Sequence, residues 1–333
     1  MNNTNPQPYK INVSVIIPIY NAEKHLQESL TSIEEQTLDN IQVILVDDSS
    51  PDNSYAIAKA FTDRLKNWHL LKQENGGCSV ARNTGFANAT GEYTIFIDAD
   101  DLLKPEMLKH LYETAKKEAL DVCSCMAEIF WDHKEGKKIL FQQEDSGIVS
   151  GQDWLSKVIL SNDFHHGVWL NLVKSDFLRQ HQLDFIPGLF HQDIPWTTEV
   201  YLKAERLHFI AEPLYQYRFH HASSSNTRNY EKRKKIVDSY IRIIDVLYRD
   251  LKGGHPRHVQ DALHFQIADE GLGIFHYIEK MPSRRDRNQL HSLMRQHRTL
   301  SKIWESAKTG KHKRRCLRRG WSMYKDLLIG SVS

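Results

Sequence analysis

Residues 13–17 (VSVII) form a β-branched run closed by Pro18, the pattern of a short strand buried on both faces. Residues 22–36 then carry Leu26, Leu30 and Ile33 at helical spacing. The scheme repeats. Residues 41–46 (IQVILV) predict a strand, and 53–66 a helix bearing Ile57, Ala60, Phe61 and Leu65. Residues 68–71, 80–89 and 93–97 (YTIFI) predict a third strand, a third helix and a fourth strand. Strands alternating with helices of this length imply βαβ units and a parallel sheet covered by helices on both faces.

Beyond Pro105 the pattern turns mixed. It predicts a helix to Glu118, an alternating strand over 122–130, and a hairpin through Lys134-Glu135-Gly136-Lys137. Short helices at 152–160 and 193–203 precede strands at 207–210 and 214–219. From Tyr230 onward the chain reads as helical, with Ile236, Tyr240, Ile243 and Leu247 in one stripe that Gly253-Gly254-His255-Pro256 ends. These changes of pattern divide the chain into 1–228, an α/β domain, and 229–333, a helical region.

Composition narrows the class. Of 333 residues, 40% are hydrophobic and 26% charged, which excludes a disordered, collagenous or disulfide-stapled chain. Cys78, Cys123, Cys125 and Cys316 lack CxxC spacing and read as buried reduced thiols. No run reaches the ~20 apolar residues of a membrane span, and MNNTNPQPYK lacks the apolar core of a signal peptide. The expectation is a cytoplasmic protein. The net charge of +2 hides an asymmetry: residues 282–325 hold 14 Lys and Arg against 2 Asp and Glu. One end of the chain is built to meet something anionic.

In parallel α/β sheets, ligands sit outside the carboxyl ends of the strands. Those ends carry Pro18-Ile19-Tyr20-Asn21, Asp47-Asp48-Ser49-Ser50 and Asp98-Ala99-Asp100-Asp101. Carboxylates crowded at a strand end repel one another, which points to a hard divalent cation with oxygen ligands. A solvated turn with Asp101 capping the next helix is the alternative, and spacing alone leaves both open. A nicotinamide enzyme is excluded, because residues 18–23 (PIYNAE) contain no glycine for a phosphate turn.

The order VSVIIPIYNAEKHL, VILVDDSSPDNS and ENGGCSVARNTGFANATGEYTIFIDADD, at these separations, resembles the glycosyltransferase family 2 domain of the GT-A fold. The likeness is dense from Val13 to about Pro105, looser to Ser225, and absent from the helical end. It implies a Rossmann-like mixed sheet flanked by helices, followed by a helical C-terminal region. It also implies a sugar-nucleotide donor on the strand ends, with Pro18, Tyr20 and Asp48 at positions that hold base and ribose. Asp48 as acceptor for a uracil imide N–H favours a UDP-sugar. Arg82 and Asn83 match a segment beside the nucleotide, where a guanidinium pairs with phosphate oxygens.

Asp98 and Asp100 match the family's DxD motif. The resemblance makes Asp100 the direct ligand of Mn2+ or Mg2+, with Asp98 reaching the ribose or a metal water, and His220 or His221 as a further ligand. Asp193, in residues 190–196 (FHQDIPW), matches the family's catalytic base, with a neutral Gln192 in place of the usual Glu. Trp169 matches an acceptor-side tryptophan, while Asn171 stands where relatives commonly carry Lys.

The basic end adds Leu317, Trp321, Tyr324 and Leu328 at i, i+4, i+7 and i+11, flanked by Lys and Arg. This pattern is that of a helix lying on an anionic membrane surface. Nothing in the chain resembles a base-reading module, so nucleic acid is not an expected partner. The resemblance, together with this basic end, therefore implies an inverting, metal-dependent transferase that moves a sugar from a UDP-sugar to a hydroxyl of a glycan or lipid-linked acceptor, at the inner face of the plasma membrane. Lipopolysaccharide or capsule assembly fits that description. A catalytically silent sugar-nucleotide-binding scaffold is the other reading, because Gln192 and Asn171 depart from the family pattern.

Overall fold

The first four strands, β1 (Val13–Ile19), β2 (Ile41–Asp47), β3 (Trp68–Lys72) and β4 (Tyr93–Phe96), run parallel in the order β3-β2-β1-β4. Val13, Val15, Ile16, Ile17 and Ile19 are fully buried, as a β-branched run between two neighbours and two layers of helices requires. Helices α1 (Leu26–Glu34), α2 (Ser54–Thr62) and α3 (Cys78–Ala87) make the connections. A Cβ on Gly85 would lie 2.3 Å from Ile16 Cγ2, so only glycine lets α3 rest directly on β1.

The chain continues through β5 (Leu102–Leu103), α4 (Met107–Lys117), β6 (Val122–Trp131), β7 (Lys134–Ile139), β8 (Ile148–Val149) and α5 (Gly151–Leu160). Next come β9 (Asn171–Lys174), α6 (Ser175–Gln180), α7 (Asp193–Lys203) and β10 (Leu207–Phe219). These strands complete a ten-stranded mixed sheet of order β3-β2-β1-β4-β9-β6-β10-β5, with β7 on β6 and β8 on β10. The computed structural model describes residues 10–132, 134–140, 142–219 and 230–328.

Three details differ from the sequence reading. Lys134 to Lys137 lie within β7 and not in the turn, because Lys134 already pairs with Trp131. The two strands expected at 207–210 and 214–219 are one strand, β10, whose register to β6 shifts on both sides of Pro213. Proline has no N–H for a ladder, and bulging lets the strand pass it unbroken. Strand β9, unforeseen, runs antiparallel to β4 and β6 and makes the sheet mixed.

By contact density the chain forms two units. The first comprises Met1–Gly151, His165–Pro187 and Val200–His220 and holds the whole sheet. The second comprises Gln152–Phe164, Gly188–Glu199 and His221–Ser333. Its helices α8 (Tyr230–Leu251), α9 (Arg257–Glu279), α10 (Arg284–Gln296), α11 (Thr299–Ser306) and α12 (Gly310–Leu328) follow in sequence. Ile236, Tyr240, Ile243 and Leu247 are all buried on α8. Arg315 and Arg319 of α12 pair with Asp269 and Glu279 of α9. Cys78, Cys123, Cys125 and Cys316 form no disulfide; Cys123 and Cys125 are buried as expected, whereas Cys78, at the start of α3, is exposed and Cys316 is half-buried.

Candidate active site

The parallel register brings the ends of β1, β2 and β4 to one edge, and the loops there are tied together. Asp48 N–H donates to Ile19 O at 2.9 Å, and Ala22 N–H to Ser54 Oγ at 2.9 Å. Asp52 accepts from the Glu23 N–H while Glu23 accepts from the Asn53 N–H, each at 2.9 Å, so the loops after β1 and β2 hold each other. Pro18 is half-buried here and Tyr20 exposed.

Asp48 is buried, and its carboxylate accepts three hydrogen bonds at 2.8 Å. Gln73 Nε2 and Gly76 N–H donate to Oδ1, and Gly77 N–H donates to Oδ2. Gly77 has φ +83°, where an L-residue is strained, although a Cβ there would meet nothing within 4 Å. The carboxylate thus fixes the turn from which α3 starts. Four residues into that helix, Arg82 is buried, donates to Asp98 Oδ1 at 2.6 Å, and lies over the Phe185 ring at 5.2 Å. Asn83 exchanges two hydrogen bonds with the Phe185 backbone, at 2.8 and 2.9 Å, and so seats that ring.

The acidic turn after β4 is anchored from β10. Asp101 is buried, which rules out a solvated helix cap. It accepts from Tyr215 Oη at 2.6 Å and from the Arg218 N–H at 2.7 Å. Burial, with the Asp100 and Asp98 charges beside it, pushes its carboxyl well above the usual carboxylate range. The Arg218 guanidinium donates to Asp100 O at 2.7 Å, to Asp132 Oδ1 at 2.6 Å and to Glu28 Oε2 at 2.7 Å. The Arg218 bond holds the Asp132 carboxyl down at about 2. Arg218 and Tyr215 were missed by the sequence reading. Their one signal is an arginine between two aromatic residues at the end of an aromatic-rich strand.

Among the described residues, no three His, Cys, Asp or Glu converge into a cage for a metal. Asp98, 32% exposed in its side chain, and the half-buried Asp100 offer two carboxylates. That oxygen-only set suits a hard divalent cation held mainly through substrate phosphates. His220 and His221 lie outside the described residues. Trp169 is 8% exposed and stacks on Tyr215 at 4.2 Å and on Tyr217 at 5.7 Å, so its ring contacts are with the protein itself. Asn171 is buried, accepts from Ser124 at 2.5 Å and Tyr201 at 2.7 Å, and donates to Gly167 O at 3.2 Å. The Asn171 side chain thus ties β9 to β6 and α7. Asp193 belongs to the second unit, half-buried as the first residue of α7. Pro18, Tyr20, Asp48, Arg82, Asn83, Asp98 and Asp100 all belong to the first.

The sequence pattern described as glycosyl transferase family 2 matches residues 14–170. Over 289 residues the chain is 34% identical to the uncharacterized glycosyltransferase YibD of Escherichia coli K12, covering 85% of this chain and 82% of that one. Two solved structures share the fold. S. aureus TarS 1–349 in complex with UDP-GlcNAc gives a TM-score of 0.58 at 20% identity, covering 89% of each chain. The mannosyltransferase PcManGT from Pyrobaculum calidifontis, in complex with GDP-Man and Mn2+, gives 0.55 at 17% identity, covering 97% of this chain and 91% of that one.

Proposed function

Because the chain belongs to glycosyltransferase family 2, we propose that it is an inverting enzyme that moves a sugar from a UDP-sugar to a hydroxyl of a glycan or lipid-linked acceptor. One observation carries this reading: Asp48, Arg82, Asp98 and Asp100 meet at the carboxyl edge of parallel strands, where α/β sheets bind nucleotides. TarS, of the same fold, binds UDP-GlcNAc, which supports a uridine donor. Asp48 and the turn it holds receive the base end, with Pro18 and Tyr20 beside it.

Asp100, with Asp98, would hold Mn2+ or Mg2+. When bound, the cation would neutralise charge on the departing diphosphate. Arg82 fixes Asp98 in place and adds a positive charge on the same side of the site. Asp193 accepts the proton of the acceptor hydroxyl as that oxygen attacks the anomeric carbon and the bond to UDP breaks. This role rests on the match of Asp193 to the family position.

An anionic membrane is the proposed meeting place with a lipid-linked acceptor. Arg315 and Arg319 are engaged by α9, whereas Lys311, Lys313, Arg314 and Arg318 are exposed, together with Leu317 at 62%. Among the described residues no helix is long and apolar enough to cross a membrane.

The test is a thermal-shift screen of UDP-glucose, UDP-galactose, UDP-GlcNAc and GDP-mannose with Mn2+, since a bound donor stabilises by mass action. A uridine donor should raise the melting temperature above Mn2+ alone. Stabilisation by GDP-mannose only would refute the uridine assignment.

A further inference from the structure

Three acids in four residues, Asp98 to Asp101, form a turn that repels itself. Something must hold its backbone if two of those carboxylates are to point the same way. The residue that does so comes from a strand 117 positions later in sequence. Arg218 is 5% exposed and reaches three segments at once, the acidic turn, the end of β6 and α1. Its backbone N–H donates to Asp101 Oδ1 and its Nε–H to Asp100 O, both at 2.7 Å. Its two remaining nitrogens donate to Asp132, at the end of β6, and to Glu28 on α1. The guanidinium lies over the Phe130 ring at 4.6 Å. Asp132 is itself held by Lys24 at 3.2 Å.

The consequence for Asp100 is specific. Its own carbonyl accepts from the Arg218 guanidinium, and the carboxylate of the next residue accepts from the Arg218 N–H and from Tyr215. These bonds lie on the C-terminal side of its Cα; on the other side Asp98 O accepts from the Asp101 N–H at 3.3 Å and the Asp98 carboxylate is held by Arg82, so the turn as a whole sets the direction in which the Asp100 carboxylate leaves the chain. A lysine cannot replace this device. An ammonium is a point charge on a flexible stem, whereas the planar guanidinium presents fixed donors to three acceptors at once.

We propose that Arg218 is a positioning residue that sets the Asp98–Asp101 turn so that Asp100 meets a divalent cation bound with the donor diphosphate; this rests on the metal-dependent UDP-sugar reading above. Arg218 touches neither donor nor acceptor in this role. It acts through the Asp100 carbonyl and the Asp101 carboxylate.

The experiment measures UDP affinity by calorimetry with and without Mn2+, on the full chain, together with the Mn2+ concentration that gives half of the gain. Arg218→Lys should raise that Mn2+ concentration by about 10-fold or more, the range seen when a residue orienting a metal ligand is lost. UDP affinity without Mn2+ should stay within about twofold, because the Asp48 turn does not depend on Arg218. Asp132→Asn, which removes the charge from one partner and leaves the bond to Asp100 O, should shift the Mn2+ requirement in the same direction and less. It also serves if the lysine variant fails to fold. Tyr93→Phe deletes a buried hydroxyl bonded to Ala115 O and Leu120 O, away from the turn, and should lower the melting temperature without moving the Mn2+ requirement. An unchanged Mn2+ requirement in Arg218→Lys, or in Asp132→Asn where the lysine variant does not fold, would overturn the positioning role alone. An intact protein whose UDP affinity ignores Mn2+ would overturn the metal reading and this role with it.

Discussion

Replacing Asp48 by Asn keeps the size of the side chain and changes one oxygen into an NH2 group. Three N–H donors point at the two oxygens of this buried carboxylate. With the amide oxygen in the Oδ1 place, Gln73 and Gly76 keep their acceptor, and the amide nitrogen faces the Gly77 N–H, donor against donor. The flipped amide is worse, because it turns the NH2 toward two donors. The better orientation loses one charge-assisted bond, about 1.5–3 kcal/mol, and weakens the other two by removing the charge. A total of about 2–4 kcal/mol corresponds to a fall in melting temperature of about 5–12 °C for a unit of this size. UDP affinity, measured by calorimetry where the variant is folded, should also drop by about tenfold, since the turn proposed to receive the base loosens. The control is the adjacent residue. Asp47 is equally buried, yet its Oδ1 takes only the Ser50 N–H at 3.3 Å and its Oδ2 takes no hydrogen bond, so Asp47→Asn should cost little. If Asp48→Asn melts with the parent, the carboxylate does not hold the turn and the reasoning fails.

Three further outcomes are expected. Asp193→Asn keeps hydrogen-bonding reach and cannot accept a proton, so transfer should fall by ~10²-fold or more while donor affinity barely changes; full activity in a UDP-release assay would move the base elsewhere. Burial works against charge on His208, yet its hydrogen bonds to Glu118 at 2.7 Å and Asp145 at 2.9 Å raise its pKa above the ordinary value. The stability it adds is therefore complete below about pH 6.5 and fades as pH rises through the raised value, so the melting-temperature gap between the parent and His208→Gln should narrow from pH 6 to pH 9. A gap that widens over that range contradicts the assignment. Deleting residues from Gly310 onward should release the protein from anionic vesicles at low salt, each nearby Lys or Arg contributing ~1 kcal/mol; equal sedimentation of both chains with vesicles would remove the membrane role.

The half of the sheet that carries the donor motifs was legible because its information is local. β1, β2 and β4 are β-branched runs, and each is followed at once by the polar residues that its end presents. What stayed hidden is non-local. Nothing near Asp101 announces that Tyr215 and Arg218 will close on it, and its position before a helix made capping the natural alternative. Strand β9 has four residues, too few for periodicity to register. Trp169 illustrates a different limit: a tryptophan looks the same in sequence whether its face is open or, as here, stacked on tyrosines from β10. The helical stripe on α8 was readable, since burial of one face repeats every turn.

Helix α3 joins the two ends of the candidate site through a single rigid piece. Gly77, before its first residue, is held by Asp48, Arg82 holds Asp98, and Gly85 is pressed against Ile16. A helix advances ~1.5 Å and turns ~100° with each residue, so its length changes only in whole steps. One residue inserted between Gly77 and Arg82 would swing the guanidinium a quarter-turn off Asp98, and one inserted before Gly85 would press a side chain onto β1. This stretch is therefore a ruler. Divergence in such enzymes must therefore proceed by exchanging side chains around α3 and by reshaping other segments, never by gradual lengthening of the piece that sets the spacing between the Asp48 turn and Asp98.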